Sequence, residues 1–321
     1  MIFSSRKQAK RVLLIHIGSH KTGTSSLQCA LLYAHQNGLL GDRAYAHVPN
    51  GTNINRFVKI SGSDRSFRSK IDYRAFKQAF PNDGDYIAST ENLFWVYSKW
   101  QLRKLAWVLR RQFDEIKIVV YLRRQDSLAL SHRKQTIMRK GTLDFYSAEV
   151  SALPSYRKSL DSYFCYDQKL KIWADIFGAK NITVRKFERD SLFKGDTVAD
   201  FFHLLGLEEP NWGEDVNKAL SRKQLLIGLY LRSKGVQESI IKRTLEKVND
   251  TDKLVPSRAA AQSFLDQFQE SNRRLATWLG DTSNPHYFNT DLSRYPEVGN
   301  DDVSEAEIEQ WLSALSPAET P

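Results

Sequence analysis

Apolar positions along this chain fall into short dense runs separated by helical stripes, and the alternation predicts its elements. Val12-Leu13-Leu14-Ile15-His16-Ile17 is a compact β-rich run bounded by Arg11 and Gly18, which predicts a buried strand over 11–17. Leu27, Ala30, Leu31 and Ala34 recur at helical spacing, so 24–36 is predicted to be a helix. Residues 37–69 are rich in Gly, Asn, Ser and Arg and predict loops with a short strand near 44–48, and 71–80 predicts a helix. A second strand is expected at 86–89. A helix over 98–113 has Leu102, Leu105, Ala106 and Leu109 on one face.

Ile116-Lys117-Ile118-Val119-Val120-Tyr121-Leu122 is the strongest strand signal, and 127–140 follows as a helix. Further on, 160–177 predicts a helix, 181–187 a strand and 197–205 a helix closed by Gly206. From Ser221 the pattern is helical throughout: 222–234, 237–248 and 258–279, the last capped by Ser257 and closed by Gly280. Strands alternating with helices predict an α/β fold, a three-layer sandwich around a central, mostly parallel sheet. The expected organisation is one domain over 1–296 with a helical extension from about 221. A mobile tail is expected over 297–321, on which Trp311, Leu312 and Leu315 could dock one short helix.

Composition narrows the picture. The chain has 321 residues, 41% of them hydrophobic, enough for a sizeable core. No apolar run approaches the roughly 20 residues of a membrane span, and the run after Arg11 is too short for a signal peptide. A cytoplasmic protein is expected, with no membrane span, although peripheral contact is compatible with the charge. Cys29 and Cys165 offer neither a CxxC nor a metal spacing and are expected to be packed thiols. Seven acids and no Lys or Arg follow Arg294, so residues 1–296 hold all 47 basic residues of the chain and carry a net charge of about +17. A basic body favours an anionic partner: nucleic acid, acidic polysaccharide or phosphorylated nucleotide.

The candidate chemistry lies after the first strand, in Gly18-Ser19-His20-Lys21-Thr22-Gly23-Thr24-Ser25-Ser26. A tight glycine-containing loop between a buried strand and a helix aims backbone N–H groups and the helix N-terminus at one point, which suits a phosphate. Lys21 adds a full charge, and Thr22, Thr24, Ser25 and Ser26 add hydroxyls; Gly18 and Gly23 allow close backbone approach. The nucleotide-binding pattern GxxxxGK[ST] places lysine after the second glycine, whereas Lys21 precedes Gly23. A second candidate lies at the end of the strongest strand. Arg123 leaves the strand, and Ser131 follows eight residues on, so that both could converge on one anion near the crevice where α/β sheets bind ligands.

The order Lys21-Thr22-Gly23-Thr24-Ser25 resembles the Lys-[Ser/Thr]-Gly-Thr-[Ser/Thr] loop of sulfotransferases that use PAPS (3′-phosphoadenosine 5′-phosphosulfate). The resemblance extends over about residues 11–296. It includes Ser89-Thr90-Glu91-Asn92, the stretch from Trp173 to Leu207, Val216-Asn217-Lys218-Ala219-Leu220-Ser221 and Ser271-Asn272-Arg273-Arg274-Leu275-Ala276. It implies a P-loop-like phosphosulfate loop formed by Gly18, Ser19, Lys21, Thr22, Gly23, Thr24, Ser25 and Ser26, with Arg123 and Ser131 on the 3′-phosphate. It also implies in-line sulfuryl transfer to a hydroxyl or amine, with PAP as product and no metal. Lys21 is then the stabiliser of the leaving phosphate, and Glu91 or His20 the base. The implied acceptor is a carbohydrate or glycolipid, for which Phe94, Trp95, Tyr97 and Trp100 would be suitable aromatics; no nucleic-acid partner is expected. Ser26 stands where many eukaryotic members place an adenine-stacking Trp. The alternatives are a P-loop kinase or NTPase, and a non-catalytic binder of acidic glycan or nucleic acid.

Overall fold

The computed structural model describes residues 10–61, 68–81, 83–138, 146, 149–213 and 219–315. The end of the predicted 127–140 helix, residues 216–218 of the Val-Asn-Lys segment and the last six residues of the tail lie outside them. In chain order the strands and helices are β1 (Val12–His16), α1 (Thr24–Gln36), β2 (Arg43–Ala46), β3 (Val58–Ser61), β4 (Arg68–Ile71), α2 (Tyr73–Gln78), β5 (Asp85–Ser89), α3 (Lys99–Leu109), β6 (Glu115–Leu122) and α4 (Gln125–Met138). There follow α5 (Asp161–Phe164), α6 (Tyr166–Phe177), β7 (Ile182–Lys186), α7 (Thr197–Leu204), α8 (Arg222–Ser233), α9 (Glu238–Glu246), α10 (Arg258–Asp266), α11 (Gln269–Leu279) and α12 (Glu305–Leu315). Among the described residues, no helix is long and apolar enough to cross a membrane.

The described residues gather into two units: 10–60, 68–81, 83–123 and 168–213 in the first, and 61, 124–138, 146, 149–167 and 219–315 in the second. The first unit holds a five-stranded sheet in the order β2-β5-β1-β6-β7, with every pairing parallel. This is the expected α/β fold, a central parallel sheet flanked by helices. Its strands read as near-continuous apolar runs because both faces are covered. On one face Leu27, Leu31 and Ala34 of α1 and Val198, Phe201 and Phe202 of α7 pack with Tyr45, Ile87, Val119 and Tyr121 of the strands. Leu13, Ile15, Ile118 and Val120 alternate to the other face and are also fully buried.

A buried polar cluster ties α7 to the sheet. Asp200 accepts from the Tyr121 hydroxyl at 2.8 Å, from the Phe193 N–H at 2.9 Å and from the Arg185 guanidinium. Burial alone would raise the Asp200 pKa, but these three donors and the Arg185 charge hold it below the usual carboxylate range.

The second unit is helical and takes α4 and α5 as well as the C-terminal extension. Gly228 lets α8 approach α4: a Cβ there would lie 2.7 Å from Ile137 Cδ1. The helix predicted over 258–279 is two helices, and the one predicted over 160–177 is broken at Cys165. Tertiary packing overrides propensity at both breaks, because Phe164, Phe264 and Phe268 turn inward into one aromatic cluster with centroids 5.2 to 5.9 Å apart. The acidic C-terminal segment carries α12, whose Ile308 is fully buried in the cluster formed with Leu226, Ile241 and Leu245.

Candidate functional site

β1 lies between β5 and β6, and the chain leaves β1 and β6 toward opposite edges of the sheet. Their carboxyl ends therefore flank a crevice of the kind in which α/β sheets bind ligands. Pairing continues past the last residue of β1. Ile17 N–H donates to Val119 O at 3.0 Å, Ser19 N–H to Tyr121 O at 2.8 Å, and Tyr121 N–H to Gly18 O at 2.7 Å. The chain then turns sharply through Lys21 (φ 62°) and Gly23 (φ 74°) into α1.

The loop is held by its own hydroxyls. Ser19 Oγ donates to Tyr121 O at 3.0 Å, Thr22 Oγ1 to Ser19 O at 2.7 Å and Thr24 Oγ1 to Ser19 O at 3.2 Å, and all three side chains are buried. Ser19, Thr22 and Thr24 thus shape the loop. Ser25 is exposed and Ser26 half-buried in the first turn of α1. α1 has no side-chain cap and no acidic residue in its first turn, so its partial positive end is not answered by its own helix.

Two glycines set the clearances. A Cβ on Gly18 would lie 3.3 Å from Cα and Cβ of Glu91, and one on Gly23 would lie 2.9 Å from Thr197 Oγ1. Glu91 follows β5, whose exit is fixed by the Thr90 N–H donating to His16 O at 2.9 Å. Arg123, the first residue after β6, donates from Nη1 to the Lys21 carbonyl at 2.9 Å, and its guanidinium stacks 5.3 Å from the Phe187 ring centroid. Lys21, Glu91 and Arg123 are all partly exposed. The first unit therefore brings the loop, Glu91 and Arg123 together at the ends of β1, β5 and β6.

His20 is nearly buried, and its Nε2 accepts from the Trp95 indole N–H at 3.2 Å. Lys169, which sequence reasoning missed, donates from Nζ to the Phe94 carbonyl at 2.7 Å and lies 3.7 Å from the Tyr97 ring centroid. Burial holds the Lys169 amine well below the usual lysine range. Lys169 thereby fastens the short turn that carries Glu91 and Trp95. Of the aromatics expected to face an acceptor, Phe94 is fully buried, Trp95 and Tyr97 contact His20 and Lys169, and Trp100 is exposed on α3. Thr197, Phe187 and Lys169 carried no sequence signal, because each is defined by what it packs against.

In the second unit, Ser131 lies partly exposed in the second turn of α4. Arg124, the residue after Arg123, is buried. It forms a bidentate pair with Asp126 at 2.9 Å for each bond and donates to the carbonyls of Asn289 and Asp291 at 2.6 and 2.8 Å. Tyr295 and Arg294 complete the shell of Asp126. Burial would raise the Asp126 pKa, but hydrogen bonds from Arg124 and Tyr295, with the Arg124 and Arg294 charges, hold it down. Gln125 and Asn272 exchange amide hydrogen bonds of 2.8 and 3.1 Å, so the Ser271-Asn272 segment is a helix-docking pin. Both cysteines are free, and burial pushes the Cys165 thiol up to about 11.

No family model matches the chain. Over 170 residues it is 28% identical to an uncharacterized protein of Archaeoglobus fulgidus; the match covers 50% of this chain and 44% of that protein, less than half its length. A solved structure, a sulfotransferase from Alicyclobacillus acidocaldarius, is similar at a TM-score of 0.39 and 19% identity, over 71% of this chain and 95% of that one.

Proposed function

We propose that the chain is a sulfotransferase that moves a sulfuryl group from PAPS to a hydroxyl or amine acceptor, with a carbohydrate or glycolipid as the acceptor class. The reading rests on one observation above the others: Arg123 is bonded to the backbone of the very loop in which Lys21 precedes Gly23. A loop cation and a strand-end guanidinium in one crevice suit a ligand with anionic groups at two places.

The residues fit such a ligand. The first turn of α1 supplies backbone N–H groups without a competing cap or acid, and Gly18 and Gly23 let the loop pass close against Glu91 and Thr197. PAPS supplies an activated sulfuryl group and a phosphate leaving group. Lys21, with the α1 N-terminus, stabilises negative charge developing on the leaving oxygen. Arg123 holds the 3′-phosphate through charge-assisted bonds. Ser131 joins this assignment on its sequence spacing alone.

Of the two candidate bases, Glu91 is favoured to take the acceptor proton. Its backbone lies against Gly18 at the crevice, and a carboxylate there can take up a proton from an acceptor hydroxyl. The His20 Nε2 lone pair is already engaged by Trp95, so a base role there requires breaking that bond. His20 is better suited to orienting the loop.

Two measurements test the reading. Thermal shift should show stabilisation by 3′,5′-ADP and little by ATP with magnesium; the reverse preference would assign the site to a kinase or NTPase. Transfer of labelled sulfate from PAPS, screened over glycan and small-metabolite acceptors, should be lost in Lys21→Ala. Arg123→Ala should weaken 3′,5′-ADP binding by about 2 kcal/mol, the worth of a hydrogen bond to a charged group. Absence of 3′,5′-ADP binding would overturn the proposal.

A further inference from the structure

The outward face of α3 has a composition that core packing does not explain. Its inward positions Leu102, Leu105, Ala106, Val108 and Leu109 are buried. Its exposed positions, continued through the turn at Arg110 and Arg111, are Lys99, Trp100, Arg103, Lys104, Trp107, Arg110 and Arg111. Each is a cation or a tryptophan, and no acidic residue occurs from Asn92 to Phe113. Trp100 and Trp107 keep 65% and 58% of their surface exposed. They lie seven residues apart, about 10 Å along the axis, on one side of the helix. Large exposed aromatics rimmed by charge mark interaction surfaces.

The neighbouring groups extend the pattern. Lys104 Nζ lies 4.6 Å from the Tyr73 ring centroid and 5.3 Å from that of Trp100, and the Arg111 guanidinium lies 4.7 Å from that of Trp107. Arg74 and Lys77 of α2 are exposed, as are Arg68 and Lys70 of β4. Asp72 caps α2. A cavity of about 490 Å³ opens beside Trp107, lined by Arg103, Arg110 and Arg111 and by Asp175, which pairs with Lys171 at 3.7 Å.

Three anionic partners suit a basic aromatic face: a nucleic acid, an acidic glycan and an anionic bilayer. The first two favour tryptophans open to stacking, and here a cation sits over one face of each ring, so neither ring can be sandwiched. A bilayer asks only that the amphipathic ring lie at headgroup depth with cations beside it. The face is also a helix ridge, which meets a flat partner along its length. We propose that this face of α3 seats the protein on an anionic lipid bilayer. Trp100 and Trp107 lie at the boundary between headgroups and acyl chains, and Lys99, Arg103, Lys104, Arg110 and Arg111 lie against lipid phosphates. The inference is independent of the sulfuryl-transfer reading.

The test is co-sedimentation of the full chain with phosphatidylcholine vesicles, with and without about one-third phosphatidylserine. Binding is expected to the anionic vesicles alone. Each Lys or Arg near an anionic leaflet multiplies affinity roughly fivefold, so Arg103→Gln with Lys104→Gln should weaken binding about 30-fold. Trp100→Ser with Trp107→Ser should weaken it about tenfold through lost apolar burial, and the Phe pair should retain most of it. Lys242→Gln with Arg243→Gln on α9 removes the same charge from another exposed surface and should change binding by less than about threefold. All substituted positions are exposed, and circular dichroism with thermal melts checks that each variant folds. Three results would overturn the proposal. One is no binding of the wild-type chain to anionic vesicles. Another is equal weakening by the α9 pair, which would reduce the effect to net charge. The third is wild-type binding to heparin or single-stranded DNA through Trp100 and Trp107 with no vesicle binding.

Discussion

His16 stands one residue before the loop, with its ring edge-on to Tyr121 and Phe201 and its Nδ1 2.9 Å from Ser89 Oγ. Burial depresses its pKa from 6.5 to about 3, so the folded protein keeps this imidazole neutral. The unfolded chain takes up a proton near pH 6.5 that the fold refuses. Stability is therefore full above pH 6.5 and falls progressively as the pH drops toward 3. At pH 5 the loss should be about 2 kcal/mol. Urea unfolding at pH 7.5 and pH 5 should show it, and His16→Gln should remove that part of the pH dependence; an unchanged dependence would refute the assignment. At this scale the sequence was partly legible. His16 was readable as a core histidine from its place in an apolar run, and Lys21 and Arg123 from their positions at strand ends. Lys169, Thr197 and Phe187 were not, because a buried cation, a hydroxyl under a glycine and a ring under a guanidinium are defined by partners distant in sequence.

The strand–loop–helix formed by β1, residues 17–23 and α1 is built from extended pairing to Tyr121, three inward hydroxyls and two glycines in the left-handed region. Gly23 answers two demands at once. Its φ of 74° costs an L-residue about 1 kcal/mol, and a Cβ would press on Thr197 Oγ1 at 2.9 Å. Gly23→Ala should destabilise the chain by roughly 1–3 kcal/mol, and Thr197→Ala on that background should recover the steric part but not the backbone part. A double-mutant cycle by urea unfolding separates the two; no coupling between the positions would show that the contact is not felt. The pattern of apolar positions located most of the elements. It missed the breaks at Cys165 and between α10 and α11, where aromatic packing rather than local propensity sets the helix ends.

For the whole molecule, charge and burial act on different parts. The basic excess lies ahead of residue 297, and the acidic segment after it carries α12, which docks through Ile308, Trp311 and Leu312, with Glu309 accepting from the Tyr230 hydroxyl at 2.6 Å. The Lys234–Glu305 pair at 2.9 Å is exposed on both sides, and such pairs contribute little. Ile308→Ala should therefore cost about 2–4 kcal/mol, while Glu305→Gln should cost well under 1 kcal/mol. Calorimetric melting of the two variants checks the ranking, and a larger effect from Glu305→Gln would reverse the account. The acidic composition of the C-terminal segment predicts a mobile tail with room for one short helix; the apolar face around Ile308 orders α12.

The sequence by itself determined the α/β alternation, the strand that ends in the glycine loop, the lysine ahead of the second glycine and the arginine at the end of the strongest strand. These are local facts, because residue spacing and chain reversal depend on neighbours within a few residues. Only the tertiary structure decided that the Arg123 guanidinium is bonded to the Lys21 carbonyl, that the Ser19, Thr22 and Thr24 hydroxyls face inward, and that Trp95 engages His20. It also decided that α3 and the turn after it present two tryptophans and five cations outward. Those outcomes depend on strand order and on which helix face the core claims, and both are settled by burial summed over the whole chain.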